Sequence, residues 1–238
     1  MLTPYGMEVI ENCVTCKKRS EPIFCNLPAA ALQSFEAIKF PTAYPQGAVL
    51  FVEGQKARGI FVLCKGRVKL TLGASNGKTL IMKLVEPGEV LGLIATISGK
   101  PYEVRAETLE PCQVNFVKRE DFLRFLREHG EACLQVAQEL GRKYNSACHE
   151  IRTIALTHSS SERLARLLLE WSSNNRGADV ELRLKLVMTH EEIAQMIGVA
   201  RETVTRVLSD WKKRHIVQIK GSTLLIQNKA ALKAIAMW

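Results

Sequence analysis

Two groups of residues in this 238-residue chain have the types and spacing to do chemistry. The first is Cys13-Val14-Thr15-Cys16 followed by Cys25, a C-x2-C-x8-C run. A C-x2-C loop brings two sulfurs into one coordination sphere, as iron–sulfur and zinc centres both require. Three thiols leave such a centre one ligand short. Lys17, Lys18 and Arg19 come next, and their charge favours thiolates. The second group lies between Thr189 and Leu208. Arg201, Glu202, Thr205 and Arg206 fall on one side of a helical pattern whose other side is Val204, Val207 and Leu208. An Arg fork can pair with guanine O6 and N7, and a Glu can accept from cytosine N4.

The elements around the second group are legible. Thr189 and Glu192 have the spacing of a capping box at a helix start. Ile193, Ala194 and Ile197 form the apolar face of a short helix, and Gly198 ends it with a left-handed turn. A helix, a Gly turn and a second helix with polar residues at its start is the geometry that enters a major groove. Ile216–Lys220 and Thr223–Ile226, joined by Gly221-Ser222, read as a hairpin that makes the motif winged. Thr189 and Lys220 complete the set of expected DNA contacts. A solvated αα-hairpin is the plainer alternative. Charge does little to separate them, since residues 189–220 hold six Lys or Arg against four Asp or Glu.

From about residue 40 to 117 the pattern is β. Val49–Val52, Gly59–Cys64, Arg67–Leu72, Thr79–Val85, Val104–Ala106 and Gln113–Val117 are short apolar runs between Gly and Pro turns, with an Asn76-Gly77 hairpin signal. This spacing predicts an antiparallel barrel or sandwich, with closure into a barrel favoured. Glu120 to about His158 reads as one long helix. Cys133, Ala137, Leu140, Tyr144, Ala147, Ile151 and Ile154 recur along it in steps of four and three, the seam of a coiled coil. A homodimer is the expected use of that seam. Ser159–Ser161 starts a further helix carrying Leu164, Leu167, Leu168 and Trp171, and 172–177 reads as a loop.

Composition bounds these readings. The chain carries 33 Lys+Arg against 24 Asp+Glu, a net charge of +9, with 47% apolar residues. It can bury real cores, and its basic excess favours a polyanionic partner without proving one. No run approaches the ~18 apolar residues of a membrane helix, and no secretory signal opens the sequence. A cytoplasmic protein is expected, so its seven cysteines read as thiols, metal ligands or redox sensors. Cys64, Cys133 and Cys148 fall in apolar patterns and read as small buried residues. The five histidines form no recognisable triad motif, and no phosphate-binding Gly fingerprint occurs, so an enzyme is not expected.

Pro87-Gly88-Glu89-Val90-Leu91-Gly92, Val104-Arg105-Ala106-Glu107-Thr108, Ser161-Glu162-Arg163-Leu164 and Arg201-Glu202-Thr203-Val204-Thr205-Arg206 together resemble the CRP/FNR family of bacterial transcription regulators, over nearly the whole chain. The resemblance implies an α+β fold. It divides into a cysteine-bearing sensor segment (1–27), a cyclic-nucleotide-binding-type β barrel or jelly roll (28–118), a dimerisation helix (119–157) and a winged helix-turn-helix (158–238). It also implies a homodimer on palindromic double-stranded DNA, with RNA polymerase as a further partner. Ala200 stands where members usually carry Ser or Thr, which removes a helix cap and a hydroxyl for a phosphate.

The family's effector cassette corresponds to Gly88–Pro101 and is degenerate here. Leu93 replaces the ribose-binding Glu, and Lys100-Pro101 replaces an Arg-Ser pair, while Gly88 and Glu89 remain. An apolar Leu accepts nothing from a ribose, and Lys lacks the bidentate fork of Arg. Cyclic AMP is therefore not the expected effector. FNR-like members bind an iron–sulfur cluster through N-terminal cysteines and a fourth one, whose place Cys112 takes here. The implied set is Cys13, Cys16, Cys25 and Cys112, holding a cluster or, alternatively, Zn. The family spacing before the third cysteine is five residues, against eight in this chain. Two other readings stand beside this one. One is the same regulator responding to a small molecule or to thiol oxidation. The other is a Zn-binding interaction protein that does not bind DNA.

Overall fold

Strand alternation sorts the N-terminal half into two apolar layers. The computed structural model describes residues 5–7, 9–10, 12–16, 24–73, 79–156, 159–174, 182–185, 189–220 and 223–236, with side chains except at 149–156, 173–174, 182–185 and 220. Lys17–Arg19, Asn76-Gly77, Gly221-Ser222 and most of the loop after Ser172 lie outside the described residues. The order is α1 (Ala29–Ile38), β1 (Lys39–Tyr44), β2 (Val49–Phe51), β3 (Gly59–Lys65), β4 (Val68–Gly73), β5 (Thr79–Val85), β6 (Val90–Leu91), α2 (Leu93–Ser98), β7 (Arg105–Thr108) and β8 (Cys112–Lys118). The strands form two four-stranded antiparallel sheets, β1-β8-β3-β6 and β2-β7-β4-β5. This is a jelly roll.

Phe61 and Leu63 of β3 join Cys112 and Val114 of β8, Phe51, Val68 and Ala106 in the roll interior. Ile60 and Val62 of β3 and Val117 of β8 face the other way, into a layer completed by Leu32, Phe35, Phe122 and Phe125. Covered on both faces, β3 is an almost unbroken apolar run. β1 was not legible as a strand because it carries Pro41. An edge strand tolerates that residue, and β1 is the edge of its sheet.

The single helix expected from Glu120 is two: α3 (Arg119–Glu128) and α4 (Gly130–Leu156). The chain leaves helical geometry at His129 (φ −125°, ψ 85°), whose N–H closes α3 onto Phe125 O at 3.0 Å. Gly130, a weak helix former, restarts it. The break lets Phe122 and Phe125 of α3 and Ala132 and Val136 of α4 pack into one layer. The expected seam lies to the side of that buried stripe. Cys133, Ala137, Tyr144 and Ala147 are exposed, Tyr144 at 70%, and Leu140 is half-buried. Cys133 and Cys148, expected as buried thiols, are both exposed, because the buried stripe of α4 runs through Ala132 and Val136 instead. The side chains of Ile151 and Ile154 lie outside the description.

The chain divides into two units, Met1–Asn145 and Ser146–Trp238, so the boundary falls inside α4 rather than near residue 157. The second unit holds α5 (Ser160–Asn174), β9 (Leu182–Lys185), α6 (His190–Ile197), α7 (Arg201–Lys213), β10 (Val217–Lys220), β11 (Thr223–Ile226) and α8 (Lys229–Ala236). Leu164, Leu168, Ile193, Val204, Trp211 and Leu232 are buried in it. The expected hairpin is present, pairing Lys220 with Thr223, and β9 adds a third strand to it. Among the described residues no helix is long and apolar enough to cross a membrane.

Candidate DNA interface and thiol centre

The helix pair forms as its caps dictate. Thr189 Oγ1 accepts from Glu192 N at 3.2 Å, and Glu192 Oε2 accepts from Thr189 N at 2.9 Å, closing the capping box. Gly198 ends α6 at φ 65°, ψ 42°, a left-handed conformation that disfavours any side chain. Ala200 opens α7 with no side-chain cap. Val204, Leu208 and Trp211 bury one face of α7, so helical spacing leaves the opposite face in solvent. There Arg201, Glu202, Thr205 and Arg206 line one open recess. Of the expected contacts, these four come together at the start of α7. Thr189 sits at the start of α6, and the side chain of Lys220 is outside the description.

Sequence reading gave His190 no role. Its Nδ1 lies 3.0 Å from Thr205 Oγ1, which also donates to Arg201 O at 3.1 Å. The imidazole thus fixes the hydroxyl between the two helices. Its signal was the position right after the Thr189 cap, one helix away from the recognition residues.

At the other end of the chain, Asn12 builds the thiol loop. Its Oδ1 accepts from Val14 N at 2.7 Å and Thr15 N at 3.4 Å, and Cys16 N donates to Cys13 O at 3.4 Å. This is an Asx-stabilised turn. The loop is pinned to the roll by two buried polar residues of β8. Gln113 accepts from Ile10 N and donates to Ile10 O, both at 2.7 Å. Asn115 Nδ2 donates to Cys13 Sγ at 3.7 Å. Glu36 Oε2 accepts from Cys13 N at 2.8 Å, and its Oε1 pairs with buried Lys39 at 3.0 Å. A strand with Gln113 and Asn115 0–1% exposed is unusual, and it marks β8 as a docking face.

Cys13, Cys16 and Cys25 line one cavity of about 50 Å³. Cys112 does not join them. Its parity on β8 is that of Val114, which faces the roll interior, whereas the cysteine loop lies on the side of Gln113 and Asn115. Cys112 Sγ instead meets Arg67 O at 3.3 Å and Glu110 O at 3.2 Å, and burial pushes its pKa up to about 11. The fourth thiol on the cavity wall is Cys64, read from sequence only as a small buried residue. Cys64 lines that wall beside Val62, at the bulge where β3 shifts register against β8 between Leu63 and Lys65. Sequence carried no signal for it, because strand alternation does not carry through a bulge. Burial raises Cys64 to about 12, with the negative charges of Cys13, Cys25 and Cys16 adding to it. Burial also raises Cys13 to about 11, opposed by Lys39. Among the described residues no three His, Cys, Asp or Glu side chains already converge as a metal cage.

The effector cassette is occupied by structural roles. Gly88 (φ 97°) turns the chain beside the thiol cavity, and Glu89 is held by Lys83 and by Glu86 N at 2.8 Å. Leu93 is buried in the helical layer, and Lys100 is exposed, its N–H donating to Ser98 Oγ at 3.3 Å.

Residues 41–129 match the cyclic nucleotide-binding domain, and residues 162–235 match the Crp-like helix-turn-helix domain. The chain is 23% identical over 213 residues to a CRP-like cAMP-activated global transcriptional regulator of Mycobacterium tuberculosis, covering 88% of this chain and 94% of that one. It is 25% identical over 191 residues to the global nitrogen regulator of Synechocystis, covering 79% and 85%. FixK2 from Bradyrhizobium japonicum shares the fold, with a TM-score of 0.74 at 21% identity over 84% of this chain and 98% of that one.

Proposed function

Because the chain belongs to the CRP/FNR family of transcription regulators, which are DNA-binding proteins and not enzymes, we propose that it works as a homodimer on a palindromic DNA site. Arg201, Glu202, Thr205 and Arg206 read base edges, and Thr189 and Lys220 contact the backbone. The observation that carries this reading is the shared recess of those four recognition residues at the start of α7. Its dimer contact is the exposed seam of α4, with cytoplasmic DNA and RNA polymerase as partners. Two-fold symmetry sets the half-site centres about one helical turn, ~34 Å, apart.

The signal enters at the N-terminal thiols, as a metal or iron–sulfur centre. Their chemistry fits a thiophilic group, and buried Asn115 lines the same cavity, its Oδ1 without a hydrogen-bond partner among the described residues. A bound centre would supply oxygen or redox sensitivity. The chain's own residues carry the effect onward. Cys13, Val14 and Phe24 pack into the layer of Phe35, Phe122 and Phe125, which also holds Ala132, Val136 and Leu140 of α4. Phe24 stacks on Phe35 at 5.0 Å and meets Phe122 edge-on at 5.6 Å. Closing the cavity favours one packing of this layer, and so one population of α4 arrangements.

A second reading keeps the DNA-binding unit but replaces the metal by direct thiol oxidation, which the same four thiols support. Cyclic AMP is disfavoured by buried Leu93 and by Glu89 being engaged in its own turn. Mobility-shift titration of genomic fragments tests the DNA reading. Wild-type affinity should fall steeply with salt, and Arg201→Ala with Arg206→Ala should abolish specific binding. Equal, salt-insensitive binding by both proteins would favour a metal-binding interaction protein instead.

A further inference from the structure

The geometry points to Cys64, not Cys112, as the fourth sulfur of a thiolate metal centre formed with Cys13, Cys16 and Cys25. The inference rests on the metal-sensing reading above and sharpens it to a ligand set. Three observations carry it. The four thiols line one cavity, with its volume of about 50 Å³ between them. Cys64 and Cys112 lie on opposite faces of the same sheet: Cys64, at the β3 bulge between Leu63 and Lys65, lines the thiol cavity beside Val62, and Cys112 follows Val114 into the roll. A side chain on the inner face cannot reach a loop docked on the outer one without breaking strand parity.

The third observation is the cavity's polar wall. Asn115 is 1% exposed, its Nδ2 donates to Cys13 Sγ at 3.7 Å, and its Oδ1 has no partner among the described residues. An amide N–H on a ligand sulfur is the outer-shell contact that tunes thiolate centres. Buried Lys39, held by Glu36 at 3.0 Å, places one positive charge near the thiols. The sulfurs stand around the wall rather than converging. Zn–S bonds of about 2.3 Å therefore require the loop of Cys13 and Cys16 and the segment at Cys25 to draw in toward β3. That movement passes directly to Phe24, next to Cys25, and so to the layer that seats α4. The shared chemistry is four thiolates on a thiophilic metal. An iron–sulfur cluster and a single Zn are the two forms it takes.

The test is anaerobic loading of the full chain, with iron plus sulfide in one arm and Zn(II) in the other. The readouts are metal per chain and sulfur coordination number by X-ray absorption. Wild type should hold metal with four protein sulfurs. Cys64→Ser should lose at least about 90% of it, in line with the large cost of removing a ligand. Cys112→Ser should keep wild-type content. The reverse pattern, metal lost in Cys112→Ser and kept in Cys64→Ser, overturns the assignment while leaving the metal-sensing reading intact. No metal in wild type from either arm, with Cys13→Ser indistinguishable from it, sinks that reading itself. Alkylation mapping of wild type covers a misfolded variant. Metal should slow labelling of Cys13, Cys16, Cys25 and Cys64 and leave Cys112 unchanged; metal-dependent protection of Cys112 but not Cys64 counts against the inference.

Discussion

At the scale of single residues, position within the fold decides what each polar group does. Arg201 and Arg206 are exposed, so on the proposed reading their truncation acts on DNA and not on folding. Each base-reading pair is worth about 1–3 kcal/mol, so Arg201→Ala should weaken specific binding roughly 5- to 150-fold with an unchanged melting temperature. Gln113 is the opposite case. It is fully buried, and both its hydrogen bonds hold Ile10. Gln113→Ala leaves the Ile10 N–H and C=O unpaired, at about 1–3 kcal/mol. Limited proteolysis should then cut near residue 10 well before the roll unfolds. Unchanged cleavage would mean that the loop is held elsewhere. Gln113 and Asn115 were missed because a strand with an apolar partner pattern gives no hint that its polar positions are buried under another segment. Arg201, Glu202 and Arg206 were legible because a cap and a Gly turn fix their helix face locally.

At the scale of elements, the capped helix pair is the most sequence-determined part of the molecule. Thr189→Ala removes the hydroxyl arm of the capping box, keeps the backbone N–H that donates to Glu192, and should cost about 1 kcal/mol of stability in the second unit. Gly198→Ala puts a side chain at φ 65° and should cost about 1–2 kcal/mol. Chemical denaturation of both variants checks these values, and cap loss with no stability change would contradict the local account. The strands of the roll and the wing hairpin were readable from turn residues and periodicity. The break at His129 was not, because the helical pattern runs on and only tertiary packing of Phe125 and Ala132 into one layer requires it. The thiol set shows the same limit. Spacing found Cys13, Cys16 and Cys25, but the cavity wall at the β3 bulge, not spacing, separates Cys64 from Cys112.

At the scale of the whole molecule, α4 runs from the first unit into the second, and the proposed homodimer buries its exposed face. Tyr144 and Leu134 are the large apolar side chains most open there, at 70% and 59%. Tyr144→Arg sets like charges against each other across a two-fold interface and should shift sedimentation from dimer to monomer at micromolar concentration. A wild-type monomer would remove the dimer and with it the palindrome. Net charge of +9 is spread over both halves, so it supplies non-specific attraction rather than the choice of site. Selection of bound sequences from a random DNA library is the most direct test of the central claim. The arrangement of Arg201, Glu202, Thr205 and Arg206 predicts enrichment of an inverted repeat with half-site centres about one helical turn apart, lost when Arg201 and Arg206 are replaced by Ala. A library that emerges unenriched, or enriched equally by the doubly substituted protein, would contradict it.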